Sequence, residues 1–126
     1  RLTAPVIRLW RGILVVPLAG AVDDADAAAV TERLLQAMVR HQARCAILDV
    51  TGVADLGERM AAFLEQIVQC VELLGGVCFI TGMQPAVAQK LIQGQVNLSA
   101  FRAFADLEGG LRAAFGRLGL GVRALP

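Results

Sequence analysis

The chain has no tyrosine, a single tryptophan, a single histidine and only three cysteines in 126 residues. It also lacks an excess of charge: 12 Lys and Arg against 11 Asp and Glu leave +1. Near neutrality excludes a strongly basic nucleic-acid reader and a polybasic membrane patch. The scarcity of histidine argues against a metal site. Cys45, Cys70, Cys78 and His41 share no ligand spacing and would have to converge from distant segments. An odd number of thiols, each inside an apolar stretch, suits buried reduced cysteines in a cytoplasmic protein better than a disulfide framework. His41, flanked by Arg40 and Gln42, is expected to face solvent. Uninterrupted apolar runs such as Ile13 to Ala19 stay far short of the ~20 residues of a membrane-spanning helix. The start, Arg1-Leu2-Thr3-Ala4-Pro5, shows neither an initiator methionine nor the apolar core of a signal peptide. It reads as a cut through a longer chain, with a further domain expected upstream.

What is plentiful is apolar side chain. Hydrophobic residues make up 56% of the sequence, above the usual ~45–50%. A chain of this length is one domain, residues 1–126, and such a surplus calls for a large core, a sticky partner face, or both. The periodicities say how the core is built. Val6 to Trp10, the turn Arg11-Gly12 and Ile13 to Leu18 read as an antiparallel hairpin, with Pro17 near a strand end. Ala27, Val30, Leu34, Ala37 and Met38 recur at helical spacing between Asp24 and Arg40. Cys45 to Val50 is a continuous apolar run, the pattern of a strand covered on both faces. After the loop Thr51 to Gly57, a second helix from Glu58 to Leu74 carries the stripe Met60, Phe63, Leu64, Ile67, Val71 and Leu74. Val77 to Gly82 is a further buried strand. Pro85 opens a short helix with Val87, Leu91 and Ile92 inward, and Phe101 to Phe104 is a last strand. Asp106 caps a final helix striped by Leu107, Leu111, Ala114, Phe115 and Leu118. The order β-β-α-β-α-β-α-β-α predicts an α/β fold: a mixed, mostly parallel sheet with an N-terminal antiparallel hairpin and about four helices. The ordered core is expected over about residues 3–118, with an irregular tail at 119–126.

Catalytic equipment is sparse. No phosphate-cradling loop ending in Lys-Ser/Thr is present, no G-x-S-x-G elbow, and no histidine beside a nucleophile. Asp49 and Asp55 flank a loop after a strand end, where α/β proteins place functional groups. The simpler role for both is to bond local backbone N–H groups and pin the loop. The inventory describes a protein that is not an enzyme and needs no cofactor.

Asp49-Val50-Thr51-Gly52-Val53 after an apolar strand resembles the D-x-S/T-G-V signature of STAS domains, the fold of anti-sigma-factor antagonists. Leu73-Leu74-Gly75-Gly76-Val77, then Thr81-Gly82-Met83-Gln84-Pro85-Ala86-Val87-Ala88-Gln89, is similar to the corresponding stretch of the RsbR-type stressosome branch. So are Thr3 to Gly12 and Val16-Pro17-Leu18-Ala19-Gly20. The resemblance spans about residues 3–118. It implies a STAS fold and a cytoplasmic interaction module that binds other STAS-domain proteins and a serine/threonine switch kinase of the GHKL type. It further implies a partner surface at Asp49, Thr51, Gly52, Asp55, Gly57, Glu58 and Arg59, and a sensory domain upstream. Such domains are also found in anion transporters and lipid-transport complexes, and a small-molecule-binding module is a further alternative.

The sequence departs from the family pattern at the switch. Family members carry Asp-Ser or Asp-Thr at the start of the second helix; one alignment puts Gly57-Glu58 there, and another, with Asp55 as the aspartate, puts Leu56 at the hydroxyl position. The second acceptor region, after Ala88-Gln89, offers Lys90. None of these positions has a hydroxyl. Glu58 is read either as a permanent negative charge that partly imitates a phosphate, or as a carboxylate placed favourably at a helix start. Thr51 retains a hydroxyl but matches the structural Ser/Thr-Gly of the signature.

Overall fold

The computed structural model describes residues 2–54, 57–94 and 101–119. Five strands form one sheet in the order β1 (Ile7–Trp10), β2 (Ile13–Ala19), β3 (Cys45–Gly52), β4 (Val77–Thr81) and β5 (Arg102–Phe104). β1 and β2 pair antiparallel across the tight Arg11-Gly12 turn, and every later pairing is parallel. The crossovers are α1 (Asp24–Arg40), α2 (Glu58–Leu73) and α3 (Pro85–Gln93); α4 (Leu107–Arg117) follows β5. The expected α/β architecture is the observed one.

Strand periodicity sorts the side chains into two layers. Leu14, Val16, Leu18, Ala46, Leu48, Val50, Cys78 and Ile80 point into the larger core, where α1, α2 and α3 cover them. Ile13, Val15, Cys45, Ile47 and Phe79 point the other way and are covered by Ala114 and its neighbours on α4. This two-sided burial is why β3 reads as an unbroken apolar run. Pro17 interrupts the regular β2–β3 register, as a residue without a donor must. The N-terminal stretch is tied down as well: Thr3 and Ala19 exchange backbone hydrogen bonds of 2.8 and 3.0 Å, and the Arg33 guanidinium donates to the Ala4 carbonyl.

Helix ends follow cap chemistry. Asp23 and Asp106 accept from the backbone N–H of Asp26 and Gly109, so α1 and α4 begin where the capping residues stand. Several expectations need correction. β3 continues through Thr51 and Gly52, two residues past the expected run from Cys45 to Val50. Leu74, Ile92 and Leu107 lie at the ends of their helices and are exposed rather than inward. Cys70 is only half-buried, unlike Cys45 and Cys78, and all three are free thiols. His41 is the half-buried C-cap of α1, its N–H donating to the Ala37 carbonyl. Asp55 and residues 120–126 of the expected tail lie outside the described residues.

Candidate functional site

The carboxyl ends of β3 and β4 converge where α2 and α3 begin. The parallel register sets Asp49 beside Thr81. One Asp49 carboxylate oxygen accepts from the Thr81 hydroxyl at 2.7 Å, and the other accepts from the Thr51 N–H at 3.1 Å. Thr81 is fully buried, so its hydroxyl needs this acceptor. Both Asp49 oxygens are therefore occupied in holding the loop, as the backbone-pinning role requires.

Thr51 is held from a second side. Its carbonyl accepts from the Gln84 side-chain amide at 3.3 Å. Its side chain packs on Gly82, occupying the space that a Cβ there would fill. Gly82 has φ +78°, a left-handed conformation that glycine adopts without strain. Beyond Gly52, a turn closed by the Val53 N–H on the Val50 carbonyl at 2.9 Å buries Val53. The chain then reaches Gly57, the N-cap of α2.

α2 starts without a side-chain cap, because Gly57 offers no acceptor. An aspartate at this position would supply one. Its first helical residue is Glu58, whose carboxylate sits where unpaired N–H groups give the helix terminus a partial positive charge. Glu58 and Arg59 are both exposed. Arg59 lines a shallow depression together with Asp23 and Asp24 of the β2–α1 junction. Lys90 is exposed in the last turn of α3. The structure thus gathers Asp49, Thr51, Gly52, Gly57, Glu58 and Arg59 along one rim of the sheet and sets Lys90 on the neighbouring helix. Thr81, Gly82 and Gln84 complete the rim, though motif reading gave them no role. They stand in the stretch that carries the family resemblance, but their pairing with Asp49 and Thr51 comes from the β3–β4 register.

This rim lets the domain present a helix start on a fixed base. Asp49, spent on two hydrogen bonds, acts as a lock. What remains exposed is a carboxylate and a guanidinium on the first turn of α2.

Fold and rim together define a STAS domain, and the family model for that domain matches residues 4–108. The chain belongs to the STAS family. Several of its sequence relatives are RsbT co-antagonist proteins, which sets it with the RsbR-type branch. It is 31% identical over 113 residues to the RsbT co-antagonist protein RsbRA of Bacillus subtilis, covering 90% of this chain and 41% of that protein. It is 25% identical over 112 residues to a blue-light photoreceptor of Listeria innocua, covering 89% of this chain and 44% of that one. The chain thus spans less than half the length of these relatives. Among solved structures, a serine-to-glutamate variant of RsbS from Moorella thermoacetica superposes with a TM-score of 0.78 at 22% identity, covering 92% of this chain and 97% of that one. A chain from the stressosome architecture superposes equally well, with a TM-score of 0.78 at 22% identity, covering 90% of this chain and 98% of that one.

Proposed function

We propose that this domain is a non-enzymatic docking module of a cytoplasmic RsbR-like regulator, one that assembles with other STAS domains and contacts a serine/threonine switch kinase of the GHKL type. The contact surface runs from Thr51 through Arg59 and onto Lys90, and a sensory domain lies upstream in the longer regulator. The observation that carries this reading is the exposed Glu58 carboxylate on the uncapped start of α2, standing on the Asp49–Thr81 lock. A phosphate placed there would bring about −1.5 to −2 charge; Glu58 supplies roughly half of that permanently. Its attraction to the helix terminus is worth about 0.3–1 kcal/mol, so the carboxylate both stabilises α2 and fixes the charge its partner meets. The module is thereby held in one state of a switch that relatives toggle.

Kinase affinity of the wild type, Glu58→Gln and Glu58→Thr, measured by calorimetry, tests this. The charge account expects Gln and Thr to shift affinity in the same direction by several-fold. Three indistinguishable affinities would reduce Glu58 to a helix-start residue.

A further inference from the structure

The rim at β3 and β4 leaves one apolar feature unexplained. α1 and α2 lie side by side on the sheet, and a groove runs along their outer surface. Leu35 and Gln36 line both halves of it. One half is completed by Glu32, toward the start of α1. The other is completed by Val39, Arg40 and Leu74. Val39 is 68% exposed and Leu74 50%, large apolar side chains left open to water beside an apolar floor. Three charges line it, Asp24 at the start of α1 and Glu32 and Arg40 on either side of Gln36; among the described residues neither Glu32 nor Arg40 has an ion-pair partner, and Glu32 accepts only a 3.3 Å hydrogen bond from Gln36.

We propose that this groove is the face on which a second copy of the chain docks, about a two-fold axis, with the two α1 helices antiparallel. The charges choose the occupant and its direction. Positions 32 and 40 are equidistant from Gln36, two turns apart along one side of α1. An axis through Leu35 and Gln36 sets Glu32 of each copy beside Arg40 of the other, twice by symmetry. Parallel α1 helices would instead place Glu32 against Glu32 and Arg40 against Arg40. The same antiparallel arrangement brings Val39 and Leu74 of each copy onto the Leu35 floor of the other, removing their apolar surface from water. The patch is small beside a standard interface of about 1,600 Å², so the pairing is concentration-dependent. The proposal rests on the docking-module reading and names the surface through which one copy meets the next.

Sedimentation of this chain over a range of concentrations tests it, with circular dichroism confirming that each variant is folded. The wild type is expected to associate as concentration rises. Glu32→Arg and Arg40→Glu, both at exposed positions, are each expected to weaken association by about tenfold, because each reverses two symmetry-related pairs. An equimolar mixture of the two variants should regain wild-type association, since one presents only positive charge at the axis and the other only negative. Association untouched by either reversal, or not restored by mixing, overturns this surface while leaving the docking-module reading intact. A wild type that stays monomeric yet binds a different STAS domain through this groove gives the face to that partner and overturns the second-copy assignment. A chain that associates neither with itself nor with any STAS domain overturns both.

Discussion

At the scale of single residues, the account rests on the bond between Asp49 and Thr81. The Thr81 hydroxyl is fully buried and finds its acceptor 2.7 Å away on a residue 32 positions earlier. Removing the acceptor strands a buried polar group, whereas removing the donor leaves only a half-buried carboxylate that water can reach. Asp49→Ala is therefore expected to cost about 1–3 kcal/mol, and Thr81→Val distinctly less. Urea midpoints at unchanged m-values check this; equal losses would mean that the pair does not lock the loop. Two glycines on the same rim should respond with opposite signs. Gly82→Ala drives a methyl into Thr51 at a left-handed φ and is expected to cost about 1–3 kcal/mol. Gly57 has extended backbone and open space around it. Gly57→Asp supplies the missing cap and is expected to stabilise by a few tenths of a kcal/mol. Thermal unfolding of both variants decides it.

At the scale of elements, the sequence carries the helices and strands because each buries a face whose period is local. Val30, Leu34 and Met38 mark α1 at intervals of four, and β3 declares its two-sided burial through an unbroken run from Cys45 to Leu48. The inward stripe fails as a guide where a helix starts or stops. Leu74, Ile92 and Leu107 keep the spacing but stand at helix ends and are exposed. The rim was legible only in part. Asp49, Gly57 and Glu58 stand at motif positions, while Thr81 becomes a partner only through pairing between strands, which sequence spacing does not encode. The central strands carry a consequence for pH. Burial pushes the Cys45 and Cys78 thiols above the ordinary value near 9, with nearby charges opposing the shift at Cys45 and adding to it at Cys78. Above that value the unfolded chain releases protons that the folded chain retains, so the stability held below pH 9 is lost as pH rises past it. Urea titrations from neutral pH to pH 10.5 should show falling stability, and Cys78→Ala should flatten the fall. An unchanged slope in that variant would assign the loss to other groups.

At the scale of the whole molecule, a nearly neutral and strongly apolar chain divides its surplus between two core layers and exposed faces. Three crossover helices on one side of the sheet and α4 on the other consume most of it. What remains outside includes Val39 and Leu74 at the groove, Leu73, Ile92 and Leu107 at helix ends, and the outer strand β1, where Ile7, Leu9 and Trp10 are exposed and Trp10 meets the edge of Phe115. Carboxylate, uncapped helix start and locked loop lie together on the rim. On the proposed reading this rim is the contact surface, and Glu58 and Lys90 stand where the family's phospho-acceptors are expected. Phosphate mapping by mass spectrometry after incubation with a GHKL-type switch kinase and ATP tests this most directly. The wild type should remain unlabelled between residues 51 and 60, and Glu58→Thr should gain phosphate at position 58. Efficient labelling of Thr51 in the wild type, or a Glu58→Thr chain that binds the kinase and stays unlabelled, would contradict the claim that Glu58 occupies the switch position.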